Sequence, residues 1–244
     1  MNKNIFRAYD IRGIAIPKEG EAADLTEDTA YLIGLGAGTY LREKYSARTI
    51  AVGRDCRLTS PALQKAYMKG LSESGMEVTD IGLSISPMVY WSIYAKGFDA
   101  GTNITASHNP KEYNGLKIVS KVAHSICGEE LQLIYNLIMG RDFNKASSPT
   151  PIKEANIWPE YLKDLQEKTK ISKPLKIVID AGNGTAGPFA PEFFKSLGCE
   201  VVELYCKPDG NFPNHEANPE ELENMKDLIA KVLDEKADIG LGFD

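Results

Sequence analysis

Arg48-Thr49-Ile50-Ala51-Val52-Gly53-Arg54-Asp55 (RTIAVGRD, residues 48–55) is a short run of strand-forming residues closed by a glycine and two charges. Just beyond it, Ser60-Pro61 offers an N-cap and a proline for the first helical position, and Gly75 stands where a left-handed residue would end the helix. The order then repeats. Thr49 to Gly53 is the first strand and Met76 to Ile81 the second. Ser86-Pro87 caps another helix that ends near Gly97, Ala100 to Thr105 is a third strand, and Leu116 to Ser120 a fourth. Short strands alternating with helices of three or four turns are the pattern of a parallel sheet covered by helices.

Working outward, a second copy of this order starts at Leu175: strand to Asp180, helix from Pro188 to Leu197, a stop at Gly198, and strand Glu200 to Leu204. Asn218-Pro219 is expected to cap a further helix before a last strand, Asp238 to Gly242. Between the copies lie helix candidates at Glu129 to Met139 and Pro159 to Lys170, separated by the Ser/Pro-rich stretch Ala146 to Pro151. The expected fold class is therefore α/β: two related three-layer α/β/α domains, each a mainly parallel mixed sheet covered by helices. The expected boundary lies near residue 150, giving domains 1–150 and 151–244.

Length agrees with this division, because 244 residues at roughly 150 per domain hold one large or two modest domains. With 43% hydrophobic and 25% charged residues, a sizeable core can form without staples. The balance of 28 basic and 34 acidic side chains, net −6, gives no reason to expect nucleic acid or an anionic membrane as partner. Cys56, Cys127, Cys199 and Cys206 form no C-x-x-C pair, and the N-terminus has no signal-peptide core, so a reducing cytoplasm is expected. His108, His124 and His215 are too scattered for an obvious zinc site.

In open sheets of this kind ligands gather beyond the carboxyl ends of the strands, where loops and helix N-termini turn backbone N–H groups towards anions. Thr105-Ala106-Ser107-His108-Asn109-Pro110 is the most informative of those ends. Pro110 pushes Asn109 into an extended conformation, and such a loop would project the Ser107 hydroxyl outward. Aided by a base, a cation or a metal, that hydroxyl could carry an acyl or phosphoryl group. By spacing alone a hydrophilic turn is the better account. A serine–histidine hydrolase fits poorly, since no G-x-S-x-G elbow surrounds Ser107. Phosphoryl chemistry fits better, because Arg7, Arg12, Arg54 and Lys117 lie near the same predicted loops and guanidinium forks bind phosphate oxygens.

Gly182 to Gly187 spells G-x-G-x-x-G after a strand, with Glu203 about 20 residues on, the spacing of a dinucleotide fingerprint. Pro188 and Pro191 set the helix start after Gly187, which favours a tight strand-to-helix turn instead. Asp244, at the end of the last predicted strand, occupies the position equivalent to the Ser107 region and would set a carboxylate opposite the serine across a domain cleft. A magnesium ion could link the two, since Mg²⁺ takes one or two carboxylates plus phosphate oxygens.

Four segments together resemble the α-D-phosphohexomutases, in particular the bacterial phosphomannomutase/phosphoglucomutase family. Phe6-Arg7-Ala8-Tyr9-Asp10-Ile11-Arg12-Gly13 is similar to its N-terminal phosphate-site strand, and Thr105 to Pro110 to its phosphoserine loop. Asn114-Gly115-Leu116-Lys117 resembles the segment bearing its active-site lysine, and Gly240-Leu241-Gly242-Phe243-Asp244 the approach to its metal loop. The resemblance implies that Ser107 is the phosphorylated serine and a metal ligand, Asp244 the first Mg²⁺ ligand, and His108 a neighbour that orients or exchanges protons. It implies that Arg12 holds the transferring phosphate, Lys117 is the general acid/base and phosphate contact, Asn109 shapes the loop, and Arg54 with Asp55 braces it or touches phosphate. The implied reaction interconverts hexose 1-phosphate and hexose 6-phosphate of mannose or glucose through a hexose 1,6-bisphosphate, which also serves as activator. The family pattern D-G-D-G-D-R is represented only by its first aspartate, Asp244. The chain thus reads as an N-terminal half lacking the family's third and fourth domains, inactive by itself, acting on small-molecule sugar phosphates and of unspecified oligomeric state. Two alternatives stay open: a non-catalytic phosphate- or nucleotide-binding module, and, within the family, a phosphoglucosamine mutase.

Overall fold

The computed structural model describes residues 1–244, which form two compact units. The first comprises Met1–Asp55, Thr59–Ala106 and Glu112–Ile157; the second comprises Trp158–Asp244 together with Cys56–Leu58 and Ser107–Lys111.

In the first unit the elements run β1 (Ile11–Ile14), α1 (Glu27–Tyr45), β2 (Thr49–Arg54), α2 (Ser60–Glu73), β3 (Glu77–Leu83), α3 (Ser86–Lys96), β4 (Ala100–Ile104), β5 (Tyr113–Val119), α4 (Glu129–Gly140) and β6 (Lys153–Glu154). They build a six-stranded sheet ordered β1-β5-β4-β2-β3-β6. β2, β3, β4 and β6 are parallel, while β5 is antiparallel to both β4 and β1. Side chains alternate across this sheet. Ile50, Val52, Ile104, Leu116 and Ile118 join one core with Ile33 and Leu41 of α1, Leu63 and Leu71 of α2, and Ile134 of α4. Helix α3 packs on the other face, where a Cβ added at Gly101 would come 2.6 Å from Val89 Cγ1.

Two helix starts differ by one residue from the expected caps. Ser60 and Ser86 are first helical residues, with Thr59 and Ile85 as caps that make no side-chain capping bond. Both serine hydroxyls are engaged elsewhere: Ser60 Oγ donates to the buried Asp55 carboxylate and accepts from Asn114 Nδ2 (2.9 Å), and Ser86 Oγ accepts from Asn103 Nδ2 (3.0 Å).

Helix α1 is held against α2 by glycines. A Cβ on Gly70 would lie 2.2 Å from Tyr31 O and 2.8 Å from Leu35 N, so the two backbones meet where any side chain would stand. Alanine at position 70 would gain about 1 kcal/mol of helix propensity, but it would overpack a contact with rigid main chain, a cost of roughly 1–3 kcal/mol or more. Gly70→Ala is expected to lower unfolding free energy by about 1 kcal/mol on balance. Urea denaturation reads this directly, and a variant as stable as the parent would disprove the close approach.

Glu130 of α4 accepts hydrogen bonds from Tyr40 (2.7 Å), Tyr45 (2.5 Å) and His124 Nε2 (3.0 Å). Burial alone would raise its pKa, but the bonds from Tyr45, Tyr40 and His124 outweigh this and hold the carboxyl below its usual range. A carboxylate depressed on folding contributes stability that is present above its unfolded pKa and is lost as pH falls through the folded one. Glu130→Gln should therefore destabilise the protein at neutral pH, and the gap in urea midpoint should close in acid. A gap unchanged down to pH values below the folded pKa contradicts the charge-based account.

The second unit contains α5 (Trp158–Lys168), β7 (Lys176–Asp180), α6 (Ala190–Ser196), β8 (Glu200–Leu204), α7 (Lys226–Glu235) and β9 (Ile239–Gly242). Its sheet, β8-β7-β9, is parallel throughout. Ile177, Ile179, Ala181 and Ala190 pack with Phe194, Val201 and Leu241 as its core. Trp158 fastens α5 to α6, with its ring 4.8 Å from that of Phe189 and its Nε1 donating to Glu192 (2.7 Å).

Asn218-Pro219 does not open a helix. Asn218 Oδ1 accepts from Glu220 N (3.2 Å), a local turn of the kind that competes with helix, and a short 3-10 turn at Leu222–Met225 leads into α7 only at Lys226. No disulfide joins the four cysteines. No helix is long and apolar enough to cross a membrane.

Candidate active site

In the first unit, strand register decides which charged residues share a face. Arg12 of β1 lies opposite Gly115 of β5, and Lys117, two residues along β5, lies opposite Asn103 of β4. Directly paired residues and residues two apart project to the same side. Arg12, Lys117 and Asn103 therefore stand on the α3 face, and Asn103 Nδ2 reaches Ser86 Oγ at the first turn of α3. Arg12 is largely buried and pairs with Asp10 through Nη2 at 2.6 Å, which fixes the guanidinium beside this face. Asn103, 3% exposed, keeps a buried Oδ1 with no hydrogen-bond partner.

Arg54, paired with Ile104 at the end of β2, falls on the opposite side of the pleat and donates from Nη1 to Asp55 O (3.2 Å). Asp55 accepts from Ser60, and Asn114 Nδ2 donates to Thr59 Oγ1 (2.8 Å). This network ties the start of α2 to β2 and β5. Arg7 is exposed.

In the second unit, Ser107, His108 and Asn109 form a partly exposed loop with Asp244. Ser107 takes a left-handed backbone, φ 54°, rare for a residue other than glycine. Its Oγ donates to Asp244 Oδ2 at 2.7 Å, and His108 Nδ1 stands 3.4 Å from the same oxygen. One carboxylate thus faces both a hydroxyl and an imidazole. The oxygen pair of Ser107 and Asp244 has the chemistry a hard cation such as Mg²⁺ takes; no cluster of three or more His, Cys, Asp or Glu side chains joins it. Burial pushes the Cys206 thiol of this unit up to about 11, away from the reactive thiolate.

The main chain of this loop is gripped by a residue that sequence reading passed over. Arg57 is 2% exposed, and its Nη2 donates to Ser107 O and Asn109 O, both at 2.6 Å, while Nη1 donates to Pro110 O at 2.8 Å. Its only sequence signal is a third charge in Arg54-Asp55-Cys56-Arg57. A second overlooked pair lies at the end of β7, where His215 Nε2 meets the fully buried Asp180 carboxylate at 3.0 Å and its Nδ1 meets Glu216 O at 2.8 Å.

The glycine turn is structural. Gly182 N donates to Asp180 Oδ1 (2.8 Å), Asn183 N to Tyr205 O (2.8 Å), Gly184 N to Ala181 O (2.6 Å) and Gly187 N to Gly184 O (3.3 Å). Amides already spent on the protein do not cradle a pyrophosphate. A Cβ at Gly187 would fall 1.9 Å from Cys206 O, so that glycine serves packing.

Comparison with known proteins agrees with both units. The family model described as phosphoglucomutase/phosphomannomutase, alpha/beta/alpha domain I, matches residues 3–145, and the corresponding domain II model matches residues 159–244. A phosphomannomutase/phosphoglucomutase of Pseudomonas aeruginosa is 42% identical over 241 residues, covering 99% of this chain and 50% of the relative. A phosphoglucomutase of Neisseria gonorrhoeae is 40% identical over 244 residues, covering 100% of this chain and 51% of the relative. The crystal structure of a phosphoglucomutase/phosphomannomutase family protein from Burkholderia thailandensis superposes with a TM-score of 0.91 at 36% identity, covering 100% of this chain and 53% of that one. The chain spans about half the length of the curated relatives it matches. With both models matched in order and nearly end to end, the chain belongs to the phosphoglucomutase/phosphomannomutase family and carries its α/β/α domains I and II.

Proposed function

We propose that these two domains carry the phosphoryl-transfer machinery of a phosphohexomutase, in which Ser107 holds a phosphoryl group and exchanges it with a hexose phosphate. The observation that carries this reading is the Ser107 hydroxyl, projected on a left-handed turn and 2.7 Å from the Asp244 carboxylate. In the forward half, a sugar hydroxyl attacks the phosphorus of phosphoserine 107; the bond from phosphorus to Ser107 Oγ breaks as the bond to the sugar oxygen forms. Lys117 Nζ, as general acid/base, takes up the hydroxyl proton, the departing Ser107 Oγ regains one to become a free hydroxyl, and the product is a hexose 1,6-bisphosphate. Return of its other phosphoryl group to Ser107 completes the interconversion of hexose 1-phosphate and 6-phosphate of glucose or mannose.

Arg12 binds the transferring phosphate with its guanidinium fork, Asn109 shapes the loop, and Arg54 is assigned to bracing α2 through Asp55. His108 shares the Asp244 oxygen and orients that carboxylate. Ser107 Oγ and the Asp244 carboxylate would hold Mg²⁺, which would supply positive charge to offset the phosphate oxygens. Phosphoryl transfer depends chiefly on alignment and charge stabilisation, the parts that the presented hydroxyl, Arg12 and a bound Mg²⁺ would play. Small sugar phosphates in the cytoplasm are the expected substrates.

The test is incubation of the full-length protein with a hexose 1,6-bisphosphate, followed by intact-mass and peptide analysis. One phosphate localised to Ser107 is the expected result. Label on another residue, or none under conditions of turnover, would refute the assignment.

A further inference from the structure

Resting on that reading, we propose that Arg57 is the positioning residue that holds the Ser107 loop in its presenting geometry and so sets the rate of phosphoryl transfer. Three carbonyl oxygens within four residues, those of Ser107, Asn109 and Pro110, converge on one guanidinium. Carbonyls of a left-handed turn would otherwise point in divergent directions towards water. Gathering them on a rigid planar donor fixes the loop's path and, through it, the direction of the Ser107 Oγ. A planar fork suits this task, since its two terminal nitrogens are held a fixed distance apart, whereas an ammonium's three donors radiate from one nitrogen on a flexible stem.

The fork is itself immobilised. Its Cζ lies 5.3 Å from the centre of the Phe212 ring. The segment around it is pinned as well: Cys56 N donates to Thr185 Oγ1 (3.0 Å), and Gly210 leaves room for Cys56 O and Leu58 N, each 2.7 Å from where its Cβ would stand. Arg57 thus stands between the serine loop, whose carbonyls it binds, and the Asp209–Phe212 turn, whose Phe212 ring it meets. Its bonds to the loop run to main-chain carbonyls, so it acts on the reacting oxygen through the loop's own backbone.

Alignment is steeply coupled to rate, a misplacement of about 1 Å costing on the order of 10²-fold. For Arg57→Ala in the full-length protein, kcat for hexose 1-phosphate conversion should fall about 10²-fold while KM stays within about twofold, because sugar-binding contacts are untouched. Arg57→Lys should recover little of the loss, and millimolar guanidinium added to Arg57→Ala should recover part of it. General destabilisation predicts neither the kcat-specific loss nor the rescue by a free fork. Arg57→Lys keeps the charge and most of the volume, and serves as the reading if the alanine variant does not fold.

A kcat unchanged in Arg57→Lys, with phosphate still found on Ser107, would overturn the positioning role and leave the phosphoserine reading standing. Phosphate label that persists in Ser107→Ala would overturn the phosphoserine reading and this inference with it.

Discussion

Ser107→Ala in the full-length protein is expected to abolish phosphate incorporation from a hexose 1,6-bisphosphate and to cut mutase turnover by at least about 10³-fold, since removal of a nucleophile leaves only binding and electrostatic assistance. The fold should barely register the change. Ser107 is only half-buried, its backbone is held by Arg57 rather than by its own hydroxyl, and the lost bond to Asp244 is exposed. Exposed sites of this kind shift stability by about 0.5 kcal/mol or less. The two readouts therefore separate: a thermal midpoint near that of the parent with no phosphoenzyme marks a chemical role. Comparable turnover and labelling in the alanine variant would show that the hydroxyl 2.7 Å from Asp244 is merely a polar turn residue, as the spacing Ser-His-Asn-Pro alone would suggest.

What could be read in advance follows from how local the physics is. Strands β2, β3, β4, β7 and β8 announce themselves through short runs containing β-branched residues, and their expected bounds lie within one or two residues of the observed ones. Helix α1 leaves a weak trace in the sequence because Gly34, Gly36 and Gly38 lower its intrinsic propensity; its start is marked by Thr26, whose Oγ1 accepts from Thr29 N, and by Glu27 and Asp28 in the first turn. The glycines make sense only once their neighbours lie against them: α2 and its end against Gly34 and Gly38, and Ile138 of α4 against Gly36. The antiparallel sense of β5 is likewise invisible in composition, since a buried strand reads the same in either direction. At the site, Ser107 and Asp244 were singled out from their positions at strand ends. Arg57 and the Asp180–His215 pair were not, because their partners are main-chain carbonyls or residues more than thirty positions away. Side chains that recognise backbone leave no spacing motif.

Asp244→Asn should be the second severe lesion, and its signature is metal dependence rather than loss of fold. Asparagine is nearly isosteric with aspartate, and its Oδ1 can still accept from Ser107 Oγ, so the loop's geometry should survive. The negative charge does not. A carboxylate binds Mg²⁺ mainly through that charge, whereas a neutral amide oxygen is a weaker ligand for a hard cation that parts reluctantly with its water. Charge stabilisation by a bound metal contributes several kcal/mol to phosphoryl transfer, and each 1.36 kcal/mol is tenfold in rate. A fall of about 10²- to 10³-fold at fixed Mg²⁺ follows, with the half-saturating Mg²⁺ concentration moved upward and activity partly restored by excess metal. Titrating Mg²⁺ against phosphoserine turnover in the parent and the variant decides the matter. Superimposable curves would mean that Asp244 orients Ser107 and His108 by hydrogen bonding alone, with the cation held elsewhere.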